Sequence, residues 1–143
     1  MPDDVDWEEQ AIRNEKAISD FREARDAGRV PPRVLILVHH RGRKTGTERV
    51  TPLAYLDLGG SWAIFASRAG TEVNPDWYLN LLAHPRTTVE VGADTLEVTA
   101  RTAEGAERER IWEAQKEAVP HFAEYEIQAA PRQIPVVILE PTA

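Results

Sequence analysis

Trp7, Ala11, Ile12, Ala17, Ile18, Phe21 and Ala24 recur at roughly helical spacing with charged residues between them, which predicts an amphipathic helix over residues 5–27. Gly28 supplies a stop, and Pro31-Pro32 prevents continuation. The pattern then changes period. Val34-Leu35-Ile36-Leu37-Val38 is continuously apolar and rich in β-branched residues, as a strand buried on both faces would be. Beyond a turn at residues 42–46, residues 49–57 alternate, with Val50, Pro52 and Ala54 on one face and Thr51, Leu53 and Tyr55 on the other. Gly59-Gly60 marks a reversal before residues 61–66, so the expectation is a three-stranded meander.

Asn74-Pro75-Asp76-Trp77 predicts a helix start in which Asn74 caps free N–H groups and Pro75 occupies the first helical position. That short helix covers residues 76–83 and stops before Pro85. Residues 87–91 and 95–101 form a hairpin across Gly92-Ala93-Asp94. A second amphipathic helix over residues 104–119 uses Ile111, Trp112, Ala114, Gln115 and Val119, and Pro120 ends it. A helical piece at residues 121–129 leads to a last strand at 134–139. Six strands joined mostly by short turns, with helices at three places, predict an α+β fold built on a small, mainly antiparallel barrel.

Composition narrows the partners. With 143 residues, 42% hydrophobic and 29% charged, the chain has the make-up of one ordinary globular domain. There is no cysteine, and so no disulfide, thiol nucleophile or thiolate metal site. No apolar run approaches a membrane span, which leaves only peripheral contact with a membrane open. The start, Met1-Pro2-Asp3-Asp4, is acidic where a targeting peptide is basic, and a cytoplasmic location is expected. The net charge of -7 argues against nucleic acid as a partner. One stretch opposes that charge: between Arg33 and Pro52, five cations (Arg33, Arg41, Arg43, Lys44, Arg49) stand against Glu48 alone.

Gly42-Arg43-Lys44-Thr45-Gly46 therefore reads either as a solvated hairpin turn or as an anion site, in which backbone N–H groups and adjacent cations meet a phosphate or carboxylate. It lacks the glycine spacing of a P-loop. Ser67 and the loop around Ala66-Ser67-Arg68-Ala69-Gly70 can meet the edge of a planar heterocycle, and Trp77 either stacks on such a ring or packs in the core. His39, His40, His84 and His121 show no metal-ligand spacing, so no metal is expected. No Gly-x-Ser-x-Gly elbow and no G-x-G-x-x-G fingerprint occur. Tyr125 offers a phenol as proton donor beside Phe122, and both residues equally suit plain packing.

The ordered blocks Gly42–Gly46, Arg49-Val50-Thr51-Pro52-Leu53, Ala66–Gly70, Asn74–Leu81, His84-Pro85 and Ile134-Pro135-Val136-Val137 resemble the deazaflavin-dependent nitroreductase family of actinobacteria over roughly residues 34–141. The resemblance implies a split β-barrel related to flavin reductases and pyridoxamine oxidases. In that architecture, residues 1–30 form the N-terminal helix and residues 31–143 the deazaflavin-binding barrel of a single domain. It also implies coenzyme F420, with FMN the lesser alternative, and hydride transfer to a small electron-poor molecule such as a quinone, enone or nitroaromatic. A cofactor carrier without turnover is the non-enzymatic alternative.

Carried over by position, Arg43, Lys44 and Arg49 would bind the anionic part. Thr45, Gly46, Thr51 and Pro52 would line the approach, and Ala66, Ser67 and Arg68 would meet the deazaflavin and phosphate. Asn74, Pro75, Asp76 and Trp77 would close the ring pocket, and Tyr125 or Ser67 would supply the proton. Nitroimidazole-activating members carry tyrosines where this chain has Ala54, Val119 and Phe122; with Tyr125 these positions form the expected substrate pocket. Exposed barrel edges make a homodimer the expected assembly.

Overall fold

The computed structural model describes residues 7–29, 34–71 and 73–142. Expectations for Val5 and Asp6 in the first helix, for the break at Pro31-Pro32 and for Arg33 in the basic stretch lie outside those residues, as does Glu72. The elements in order are α1 (Trp7–Asp26), β1 (Ile36–Arg41), β2 (Glu48–Leu53), β3 (Leu56–Asp57), β4 (Trp62–Phe65), a 3-10 turn (Arg68–Gly70), α2 (Asp76–Ala83), β5 (Arg86–Val91), β6 (Asp94–Thr102), α3 (Gly105–Ala118), α4 (His121–Ala129) and β7 (Val136–Pro141).

All strand pairs are antiparallel, and the order across the sheet is β2-β1-β5-β6-β7-β4-β3. The two outermost strands, β2 and β3, are consecutive in the chain and separated only by Ala54 and Tyr55. Three backbone steps span at most roughly 11 Å, so the two edges of the sheet are forced together and the sheet must curl. This produces the barrel. It also corrects two expectations: there are seven strands among the described residues because the predicted strand at 49–57 breaks where the chain passes from one edge to the other. The three-stranded meander does not form, because β4 pairs with β3 and β7 rather than with β2. Pro52 is accommodated because β2 is an edge strand, where a missing N–H costs no ladder bond.

Alternation along the strands sorts the core into two layers. Ile64 and Ala66, with Val137 and Leu139, join Ile36, Val38, Val89 and Val98 around Trp77, Tyr78 and Leu81 of α2. The opposite faces of the same two strands, Ala63 and Phe65 with Val136 and Ile138, pack against Ile111 and Trp112 of α3 and Phe122 and Ala129 of α4. The run at 34–38 is buried from Leu35 onward, whereas Val34 is exposed; the strand itself starts at Ile36 and continues through both histidines to Arg41.

Helix α1 buries Phe21 and Ala24, and it is tied down by charge as well. Arg22 and Arg25 donate to the buried carboxylate of Glu90 on β5 at 2.7 and 2.6 Å, and His39 Nε2 meets the same carboxylate at 2.6 Å. Burial pushes the Glu90 carboxyl up, but the bonds from Arg22, His39 and Arg25 outweigh it and hold it at about 2.

Candidate functional site

The basic turn joins β1 to β2 and is closed by its own backbone, with Gly42 N–H donating to Thr47 O and Gly46 N–H to Gly42 O. Gly46 takes φ +72°, and a Cβ on Gly42 would lie 2.6 Å from Thr45 Oγ1, so both glycines are needed for this shape. Arg43, Lys44, Thr45 and Arg49 line a cavity of about 180 Å³ together with Asp76 and Asn80 of α2. The predicted anion residues are thus brought together at the start of α2. Arg43 touches Asp76 at 3.4 Å. Lys44 and Arg49 make no ion pair among the described residues.

Asn80 holds this corner in place. Its Oδ1 accepts from both the backbone N–H and Nη1 of Arg43, each at 3.0 Å. Its Nδ2 faces Nδ1 of the buried His40 at 2.9 Å, and His40 Nε2 faces Thr51 Oγ1 at 2.8 Å. Burial pushes His40 down to about 4, with Arg49 acting in the same direction and Asp76 against it, so the ring is neutral at pH 7. Sequence reasoning weighed His40 only as a metal ligand and passed over Asn80. The available signal was a lone amide inside the apolar run of α2 and a histidine in phase with Ile36 and Val38.

The loop after β4 forms a second part of the site. Ala66 is fully buried, Ser67 is half-buried, and Arg68 adopts φ +46° with Nη1 donating to Thr71 Oγ1 at 3.0 Å. The Arg68 guanidinium also lies over the Trp7 ring, 4.1 Å from its centroid, so the start of α1 reaches this loop. Arg132 organises the loop from the far side. It donates to the carbonyls of Ala66 (2.9 Å), Ser67 (2.8 Å) and Thr71 (2.8 and 3.1 Å), and to Asn74 Oδ1 (2.7 Å). Asn74 is therefore not a helix cap: its side chain is taken by Arg132, and Pro75 itself stands at the N-cap of α2 without a side-chain bond. No periodicity marks Arg132, a lone cation between Pro131 and Pro135.

Gly70 brings this loop against α4, since a Cβ there would lie 3.1 Å from the Cα of Tyr125 and 2.8 Å from Gln128 Oε1. The two candidate proton donors, Ser67 and Tyr125, thus sit on elements in direct contact. Phe122 is buried against Phe65 and Trp112, with Tyr125 edge-on to it at 5.3 Å, and Val119 packs on the same cluster. Ala54 is exposed in the joint between β2 and β3. Trp77 is 7% exposed and packs edge-on to Tyr78 inside the barrel, while Asp76 is open to solvent. Thr51 faces inward on β2 and its neighbour Pro52 outward. Among the described residues no His, Asp and Glu cluster is arranged to hold a metal ion, and no helix is long and apolar enough to cross a membrane.

Fold and site together define a split-barrel protein with a cationic cradle beside an ordered loop. The model of the F420H(2)-dependent quinone reductase family matches residues 11–141, and the chain belongs to that family. A putative F420H(2)-dependent quinone reductase of Mycobacterium tuberculosis is 36% identical over 115 residues, covering 80% of this chain and 96% of that one. Among solved structures, an F420-H2 dependent reductase is 39% identical with a TM-score of 0.69, over 76% of this chain and 95% of that one. A domain-swapped dimer is 36% identical with a TM-score of 0.72, over 93% and 96%. A pyridoxamine 5'-phosphate oxidase-like protein of Listeria innocua, 12% identical with a TM-score of 0.54 over 90% and 93%, shares the fold.

Proposed function

We propose that this chain is an F420H2-dependent reductase of small electron-poor molecules, quinones first among them. The observation that carries the reading is the cradle of Arg43, Lys44 and Arg49, two of them without an acidic partner among the described residues, in a chain whose net charge is -7. Such a cradle fits an anionic tail, and the phosphate and oligoglutamate of F420 provide one. Arg43, Lys44 and Arg49 would hold that tail, with Thr45, Gly46, Thr51 and Pro52 along its path. Ala66, Ser67 and Arg68, on the loop clamped by Arg132, would meet the ring system, with Asn74, Pro75, Asp76 and Trp77 shaping the wall behind it. When bound, the reduced cofactor supplies a hydride. The chain's own part is to bind, orient and exclude water, and to hold a proton donor at the Tyr125 or Ser67 hydroxyl. Val119, Phe122 and Tyr125 would face the substrate, with Ala54 leaving room where relatives carry a bulkier group.

The test is a titration of the purified chain with oxidised F420, followed by steady-state turnover of F420H2 with a soluble quinone. Lys44→Ala and Arg49→Ala are each expected to weaken F420 binding about five- to tenfold and to flatten its salt dependence. No binding at about 100 µM cofactor (a Kd far weaker than any working cofactor site) would refute the reading. Tight binding with no quinone turnover would instead identify a carrier. A homodimer in the cytoplasm is the assembly and setting we favour, supported by the domain-swapped dimer among the similar structures; light scattering reads the mass.

A further inference from the structure

The basic turn and β2 are connected through the protein interior by side chains whose donors and acceptors can be placed in only one order. Arg43 offers Asn80 two N–H groups and no acceptor, so the amide oxygen of Asn80 must face Arg43. The amide NH2 then faces His40 Nδ1, which must accept. A neutral imidazole that accepts at Nδ1 carries its hydrogen at Nε2, and that hydrogen is donated to Thr51 Oγ1. Thr51 therefore receives a hydrogen bond from the interior and has its own hydroxyl hydrogen left over. No acceptor for it exists among the described residues. In the β1–β2 register, Val38 is opposite Thr51 and His40 is opposite Arg49, so Thr51 and Arg49 lie on the same face of β2.

We propose that the Arg43–Asn80–His40–Thr51 relay is a positioning device that forces the Thr51 hydroxyl to act as a donor toward an anionic oxygen of the bound cofactor. Asn80 lines the cavity beside Arg43 and His40 is buried next to it; the part of both is to set the polarity of the Thr51 hydroxyl. The inference rests on the F420 reading for the identity of the ligand, while the relay itself rests only on hydrogen bonds within the chain. The charged and titratable groups around His40 are Arg49 on β2, Asp76 on α2, Arg43 on the turn and His39 beside it on β1.

Replacing the amide by a carboxylate reverses one link. In Asn80→Asp the side chain can no longer donate to His40 Nδ1, so a neutral ring must carry its hydrogen there and accept from Thr51 at Nε2. The Thr51 hydrogen is then drawn inward. When the ring is doubly protonated at lower pH, it donates at both nitrogens and Thr51 is released. The extra negative charge weakens anion binding, and the protonated ring offsets that charge at lower pH in the same sense as the relay, so the relay's share is the part of the pH dependence that disappears when the Thr51 hydroxyl is removed.

Two measurements test the proposal. First, nitrogen-15 NMR of the imidazoles in the free wild-type chain should show His40 neutral and protonated at Nε2 from pH 5.5 to 8, the window about where an ordinary histidine titrates. An Nδ1-protonated ring, or a midpoint near the usual histidine value, overturns the relay whether or not F420 binds. Second, the ratio of Asn80→Asp to wild-type Kd for oxidised F420 should rise about tenfold between pH 6 and pH 8; taking the ratio cancels titration of the cofactor. Thr51→Ser should bind like wild type, Thr51→Val should bind about tenfold more weakly, and in the double variant Thr51→Val/Asn80→Asp, compared with Thr51→Val, the rise of the ratio should shrink several-fold, an undiminished rise overturning the role given to Thr51. A flat ratio in Asn80→Asp alone, or full affinity in Thr51→Val, overturns the role given to Thr51. Failure of wild type to bind F420 sinks the functional reading and leaves the NMR result to decide the relay.

Discussion

Arg132→Ala removes the donor to three main-chain carbonyls and one side-chain amide that together shape residues 66–74. The guanidinium is half-buried, so water can replace part of what it supplies, and each acceptor is worth about 1 kcal/mol net rather than the larger value of a fully buried charged bond. With four acceptors affected, the expected loss of folding stability is roughly 4 kcal/mol. Urea unfolding followed by tryptophan fluorescence should show a lower midpoint at unchanged slope, because the denatured chain is not altered. Arg132→Lys should recover part of the loss, since an ammonium can reach one or two of the carbonyls but not fork across all of them. Hydrogen exchange should locate the damage at residues 66–74 and in the facing turn of α4. A stability within about 0.5 kcal/mol of wild type would refute the clamp, since that is the size expected for a surface substitution away from any such feature.

His40 makes stability depend on pH in a definite direction. Its folded value of about 4 lies below the ordinary 6.5, so the unfolded chain takes up a proton first; stability is full above pH 6.5 and falls as pH drops toward 4. The loss by pH 4.5 should be about 3 kcal/mol in urea titrations, and His40→Gln should abolish most of that slope. Glu90 acts in a lower window, because with a folded value of about 2 its contribution is full above the ordinary 4.5 and is lost progressively as pH falls from there towards 2. Gly70→Ala forces a Cβ into the backbone of α4 at a residue with φ +75°, and should lower stability by about 1–3 kcal/mol and disturb the Tyr125 ring environment. An unchanged melting temperature and unchanged near-ultraviolet dichroism would contradict that packing.

The elements easiest to read in the sequence were those bracketed by proline. Helices α2 and α4 occupy the residues expected of them, with Pro75 and Pro85 around the first and Pro120 before the second. The resemblance of the ordered motifs led to the family that the match over residues 11–141 shows. What local pattern does not contain is which strand lies beside which. Residues 49–57 alternate without interruption, yet the chain changes sheet edge at Ala54-Tyr55, a consequence of closure rather than of any local preference. The site divides in the same way. Exposed cations in a glycine-flanked turn announce themselves by charge, whereas Asn80, His40 and Arg132 work through partners distant in sequence. Asn74 shows the cost of local reasoning: its capping signature was sound, but Arg132 competes for the same oxygen and holds it.

Strand β7 lies near the middle of the sheet, between β6 and β4, although among the described strands it comes last in chain order. Before Val136–Pro141 are in place, the sheet can exist only as two separate fragments, β2-β1-β5-β6 and β4-β3, each with an open edge. A ribosome that has not yet released β7 is therefore carrying an unsealed molecule with sticky seams. Stalling or truncation just short of β7 should leave a species that recruits chaperones or aggregates, whereas loss of the residues around Trp7 should leave a closed barrel.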